Sequence, residues 1–313
     1  MRLLWSRIPV EDVMREPGTA PELRAHLARV AEVRRYAEGL GLDVGERYTE
    51  YAPWPGDSVV TAVVATRPGS VEPVTTWFPI VGAVPYRGYF DGERAAAEAQ
   101  RLRGQDLDVC VVKVRAYSTL GWFDDPLTGP MLREDEATLI ETLFHELLHA
   151  TVFVPGEAEF NEGVAAFFGQ EARIRFYTDR DGAESGERER RAVAESRRLR
   201  GEILELRLAV EALYADAPPG PERRARRAAL EADARRRIAA LALADRDPGT
   251  VAAQLQLNDA CLALSGTYHA DTPHLAGVLE ALGGDLAAFV ARVESAAEAD
   301  DPRAALLGDG PAR

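Results

Sequence analysis

Apolar residues recur at helical spacing along most of the chain and form β-branched runs in only a few short stretches, so a mainly helical protein with a small sheet is predicted. Pro9 to Arg15 reads as a short helix with Val10, Val13 and Met14 inward. Thr19-Ala20-Pro21-Glu22 reads as a capping box, and the helix after it carries Leu23, Leu27, Val30, Val33 and Leu40 on one face before stopping near Gly41. Residues 58–65 (SVVTAVVA), 75–83 (TTWFPIVGA, bent at Pro79) and 107–114 (LDVCVVKV) read as strands, with a short helix over Glu93 to Arg103 between the last two. An apolar helix with Ile140, Leu143, Phe144, Leu147, Leu148 and Val152 follows, broken at Pro155-Gly156. A second helix starts near Glu159 and packs through Phe160, Val164, Phe167 and Phe168.

Beyond Phe176 the pattern changes. Thr178 to Glu187 reads as a polar linker. Leu199, Ile203, Leu206, Val210 and Leu213 then form a heptad seam, Ala217-Pro218-Pro219-Gly220-Pro221 breaks it, and Leu230, Ala234, Ile238 and Leu241 return: an antiparallel helical hairpin. A helix over about Val251 to Ser265, the pair Tyr268-His269 and a capped helix from Asp271-Thr272 complete the reading. The expected fold class is α+β, with a small mixed or antiparallel sheet, a helix pair and the hairpin. The expected organisation is 1–130 for the N-terminal helices and sheet layer, 131–178 for the helix pair, 188–243 for the hairpin and 248–313 for a C-terminal helical part. The first, second and fourth segments together make one body.

At 313 residues with 46% apolar content the chain can bury a sizeable core. A formal charge of −14 disfavours nucleic acid and anionic lipid, both of which need a basic face. No transmembrane segment is expected, since the apolar runs fall short of about 18 residues. Cys110 lies in a strand-like run and Cys261 in a helical one, which favours two buried free thiols over a bridge.

The apolar helix carries His145-Glu146-Leu147-Leu148-His149. Two histidines four apart lie about 40° apart around a helix and about 6 Å along it, so both imidazoles can converge on one cation. A buried helix has little reason to hold His, Glu and His unless they satisfy one another or a metal. Glu146, on the flank of that face, is placed to act as a general base towards a metal-activated water without being a ligand. Two helices joined by a short turn must pack together, so Glu162, in the first turn of the second, can face the histidines. His145, His149 and Glu162 are the candidate ligands of one Zn²⁺ per chain, with a fourth position open. Glu157 and Glu159 read as solvated turn charges, Glu171 lies too far along, and His26 and His274 read as structural.

HELLH followed by FNEGVAAFF resembles the gluzincin metallopeptidases, whose third ligand is the glutamate of an Asn-Glu-containing second helix. More closely, the chain resembles a bacterial family of predicted zinc aminopeptidases, often lipoproteins, through residues 77–90 (WFPIVGAVPYRGYF), 116–126 (AYSTLGWFDDP) and an Asn-plus-Tyr-His segment at 258–269. The resemblance implies a gluzincin-like fold, a zinc metallopeptidase acting on peptides, and pairing of substrate backbone with an edge strand drawn from 77–86 or 109–118. Two departures stand out. Ala166 occupies the position where thermolysin-like enzymes place an aspartate, and Gly82-Ala83-Val84-Pro85-Tyr86 lacks the glutamate that binds a substrate amine in the large aminopeptidases. Aminopeptidase action is therefore implied by resemblance alone. Tyr268 and His269 are the candidate donors to a developing oxyanion, helped by the same resemblance. Two other functions stay open: a non-catalytic zinc-containing protein that binds a partner through the hairpin, and a zinc hydrolase of a non-peptide amide. The expected location is cytoplasmic as the chain is written, or the cell envelope as a lipoprotein if its start is truncated. Oligomeric state is not readable.

Overall fold

The computed structural model describes residues 6–78, 82–115, 125–269 and 271–308, without the side chains of 77, 78, 82, 83 and 265–269. In chain order the elements are β1 (Ile8–Pro9), α1 (Val10–Arg15), α2 (Pro21–Gly39), β2 (Glu50–Ala52), β3 (Val60–Thr66), β4 (Thr76–Phe78), β5 (Gly82–Val84), β6 (Arg87–Tyr89), α3 (Gly92–Arg103), β7 (Asp108–Val114) and β8 (Leu127–Thr128). A 3₁₀ turn at Met131–Arg133 leads into α4 (Glu136–Thr151), α5 (Ala158–Asp181), α6 (Ala183–Asp216), α7 (Pro221–Ala239), α8 (Pro248–Gln254), α9 (Asp259–His269), α10 (Thr272–Ala281), α11 (Leu286–Ala297) and α12 (Pro302–Leu307). The class is α+β, as expected.

Two compact units share these elements. The first comprises Met1–Val60, Lys113–Glu189 and Asp271–Arg313; the second comprises Thr61–Val112 and Arg190–Ala270. In the first, α4 is the buried centre. Its Leu139, Ile140, Leu143, Phe144 and Leu147 are fully covered and join one core with Leu27, Val30 and Val33 of α2, Phe160, Val164, Phe167 and Phe168 of α5, and Phe289 of α11. Asp135 starts α4 by accepting from Thr138 N at 2.9 Å and Thr138 Oγ1 at 2.7 Å. Its small sheet, β1-β2-β8, pairs β1 antiparallel and β8 parallel to β2.

The second unit holds a sheet of order β6-β3-β7. Strand β3 is largely apolar because both its faces are covered. Val63 and Ala65 pack with Val109 against Ala95 and Ala99 of α3, while Val64 on the other face meets Cys110 and Ala260. The hairpin α6–α7 closes over Leu206, Val210, Leu230 and Ala234, as its seam predicts.

Four expectations are corrected. Residues 75–83 are not one bent strand. Thr76–Phe78 and Gly82–Val84 are two strands that pair antiparallel with each other. Thr178 to Glu187 is helical: α5 runs to Asp181, Gly182 turns the chain at φ 90, and α6 begins at the next residue. Residues 251–265 fall in two helices because the Asp108 carboxylate starts a new one, accepting from Ala260 N at 3.1 Å and Asn258 Nδ2 at 2.9 Å. Cys110 and Cys261 are bridged, with Cα atoms 5.0 Å apart. That capping by Asp108 brings the start of α9 against β7, which the local pattern around each cysteine could not register.

Among the described residues no single helix is long and apolar enough to cross a membrane. The bent pair α10 and α11 passes by length and composition, but its apolar residues Leu275, Leu286, Phe289, Val290 and Val293 belong to the first unit's core.

Candidate metal centre

Helices α4 and α5 lie antiparallel, joined by residues 152–157. Asn161 fixes this joint. It is 5% exposed, and its side chain bonds both backbone groups of Val154, accepting from the N–H at 2.9 Å and donating to the carbonyl at 2.8 Å. The next residue, Glu162, thereby turns inward in the first turns of α5.

Opposite it stand the two histidines. Their Nε2 atoms are 3.0 Å apart, Glu162 Oε2 lies 3.4 Å from His145 Nε2, and Glu162 Oε1 lies 3.6 Å from His149 Nε2. Tetrahedral donors about 2.0–2.1 Å from a common ion stand roughly 3.3 Å apart. The three observed separations bracket that edge, so two imidazoles and a carboxylate fit a small divalent ion. Among the described residues this is the group of His, Cys, Asp or Glu donors that converges, all within 4.8 Å of one another. His149 is covered (4% side-chain exposure), while His145 and Glu162 keep 18% and 25%. The site is therefore closed behind His149 and open beside the other two.

Its electrostatics follow from this packing. Burial pushes the Glu162 carboxyl upward, but hydrogen bonds and charge from both imidazoles outweigh it and hold the group far below the usual range. Burial likewise works against protonation of His145. The hydrogen bond to Glu162 and the charges of Glu146, Glu162 and Glu141 reverse the balance, and its pKa is raised. The two imidazoles and the carboxylate thus contact one another directly.

Glu146 is half-buried, and its charge acts on His145 and on Tyr48. Tyr48, 3% exposed, holds a left-handed backbone at φ 64, and its N–H donates to the Asp125 carbonyl at 2.8 Å. Burial first, then the charges of Glu146 and Asp125, push its hydroxyl pKa well above the usual value, so it stays protonated beside Glu146. Neither Tyr48 nor the clamp formed by Asn161 was identified from the sequence. A left-handed tyrosine has no local signature, and Asn161 drew notice only as the companion of Glu162.

The remaining candidates divide. Glu157 and Glu159 are exposed and take no part in the cluster, as expected. Tyr268 and His269 fall in the last turn of α9, and their side chains lie outside the described residues, as does most of the 116–126 segment. Of the two stretches considered for substrate pairing, Asp108–Val114 is an edge strand and residues 77–86 contribute to the β4–β5 hairpin.

A family model described as "Putative aminopeptidase" matches residues 1–307, nearly the whole chain. No curated protein and no solved structure matches the chain.

Proposed function

The chain belongs to the family that this model describes, and from that membership we propose that it is a zinc-dependent metallopeptidase of the gluzincin type, removing residues from the amino end of peptides. One observation carries the reading: two imidazoles and a carboxylate from adjacent antiparallel helices converge at 3.0–3.6 Å, with a further carboxylate alongside. His145, His149 and Glu162 would hold the ion. Zinc bound by such a set is a Lewis acid that makes water nucleophilic near neutral pH and polarises a carbonyl.

The chain's own residues supply the remaining chemistry. Glu146 is the base. Its carboxylate takes a proton as water attacks the scissile carbonyl and returns it to the departing amine, so the carboxylate is regenerated in each cycle. Glu162 is held ionised by the imidazoles facing it, which keeps a negative charge at the centre for a cation to neutralise. Asn161 fixes the approach of Glu162 through Val154. Tyr268 and His269 are the proposed donors to the oxyanion.

Incubating the zinc-supplemented protein with a mixed peptide library, and reading the products by mass, tests this reading. Stepwise loss of N-terminal residues is expected from wild type. In Glu146→Gln a fall in rate of roughly 10²–10⁴ is expected with zinc content unchanged, the range a positioned acid–base group supplies. Undiminished hydrolysis in that variant removes the base assignment. Products cut within the peptide retain the metallopeptidase but not the exopeptidase. Turnover confined to non-peptide amides, or none at all, overturns the reading.

A further inference from the structure

The contact that brings Glu162 within reach of both histidines is made seven residues further along α5, at Gly169. Seven residues return a helix to within about 20° of the same face, roughly 10.5 Å along the axis, so Gly169 faces α4 as Glu162 does. A methyl group there would lie 2.8 Å from the Glu141 carbonyl oxygen, 3.4 Å from His145 Cβ and 3.4 Å from His145 N. The shortest of these contacts is with backbone in the middle of a buried helix, which cannot swing aside as a flexible side chain would. Four residues beyond Gly169, Arg173 spans the same gap, with Nη1 2.9 Å from Glu141 Oε2. The seam thus closes at three levels: Arg173 against the Glu141 side chain, Gly169 against the Glu141 carbonyl, and Glu162 against the two imidazoles.

We infer that Gly169 is a positioning residue for the metal centre: its missing side chain sets the α4–α5 separation, and hence the size of the ion that His145, His149 and Glu162 accept. The inference rests on the metal-site reading above. Glu162 is borne on α5 and both histidines on α4, so any widening of the seam lengthens the two Glu162 separations while leaving the His145–His149 distance unchanged. A widened site loses zinc, and it loses zinc more than it loses the larger cadmium ion. Loss of helix stability alone would weaken both ions alike.

The test is the affinity of metal-free Gly169→Ala for Zn²⁺ and Cd²⁺, by competition with a chromophoric chelator, together with the visible absorption of the Co²⁺-loaded protein. Gly163→Ala, on the same helix with nothing within 4 Å of an added methyl, is the control. Gly169→Ala is expected to lose roughly 10–100-fold in zinc affinity, the range typical of disturbing groups that orient a ligand. Its zinc-over-cadmium preference should fall, the cobalt spectrum should change, and Gly163→Ala should match wild type. Zinc affinity within about twofold of wild type, or equal losses for the two ions, overturns the inference while leaving the metal site standing. Wild type that binds no zinc overturns both. If Gly169→Ala does not accumulate as folded protein, Arg173→Gln puts the same question by loosening the seam without touching a proposed ligand. A fall in the zinc-over-cadmium preference supports a site sized by the seam's width, and an unchanged preference overturns it.

Discussion

At the scale of single residues, side chains on two facing helices meet different surroundings around the same centre. Glu146 and Glu162 are both carboxylates, yet Glu162 faces the two imidazoles and Glu146 flanks them. Asn161 does no chemistry, but it caps both polar groups of Val154 in a buried joint. Removing it leaves the partly buried N–H of Val154 unpaired, while the Val154 carbonyl still accepts from Glu157 N at 3.2 Å; one unpaired donor costs about 1–3 kcal/mol. Asn161→Ala is therefore expected to lower the free energy of unfolding by about 1–3 kcal/mol in chemical denaturation and to weaken zinc retention. A variant as stable as wild type would show that the joint does not need the clamp. The convergence of His145, His149 and Glu162 was legible in the sequence because the four-residue spacing of the two histidines is a helix-face code. Gly169, Tyr48 and Asn161 were not read in these roles, since each acts through a residue distant in the chain or through a backbone angle.

At the scale of elements, α4 is held at its start by a charge cluster that joins three helices. Glu136 forms an ion pair with Arg29 Nε of α2 at 3.1 Å and takes a hydrogen bond from Tyr177 Oη of α5 at 3.0 Å, with Arg180 of α5 at 3.5 Å. Burial raises the Glu136 pKa, but the bond and charge of Arg29, then Tyr177 and Arg180, leave it below the usual value. A depressed carboxyl stabilises the fold above its unfolded pKa, and that contribution is lost as pH falls through the folded one. The stability gap between wild type and Glu136→Gln should therefore be constant near neutrality and shrink as pH drops below the ordinary 4.5. Thermal melts across that range check it, and a gap that persists to strongly acid pH contradicts it.

The second unit has its own fastening. The Cys110–Cys261 bridge closes a separation of 151 residues and ties β7 to the start of α9 beside the Asp108 cap. Closing so long a loop restricts the unfolded chain by about 3–5 kcal/mol. Denaturant titration of Cys110→Ser/Cys261→Ser against the oxidised protein should show a loss of that order, and a change below about 1 kcal/mol would contradict the bridge's importance. The heptad seam disclosed the hairpin from the sequence alone, because its partner helix is next in the chain. The pairing of β7 with α9 was hidden, because its partners lie 150 residues apart and neither segment's own pattern names the other.

At the scale of the whole molecule, the family match over residues 1–307 takes in both units, so the hairpin and the second sheet belong to the family's common plan rather than to an appendage. The acidic balance of −14 disfavours a polyanionic partner. On the proposed reading, zinc at a hundred times its dissociation constant would add about 2.7 kcal/mol to the free energy of unfolding, because the three donors converge only in the folded chain. The class α+β, the helix pair and the ligand spacing could be read from apolar periodicity and three polar exceptions to it. The division into two units could not, because each unit is assembled from separated stretches of chain.

The most direct measurement is the number of zinc equivalents bound per chain at equilibrium, for wild type and for His149→Ala, with circular dichroism to verify that both are folded. Wild type is expected to hold one equivalent, and His149→Ala to hold almost none while keeping its helical spectrum. A folded His149→Ala protein that still binds a full equivalent at wild-type affinity would contradict the assignment of the metal to His145, His149 and Glu162.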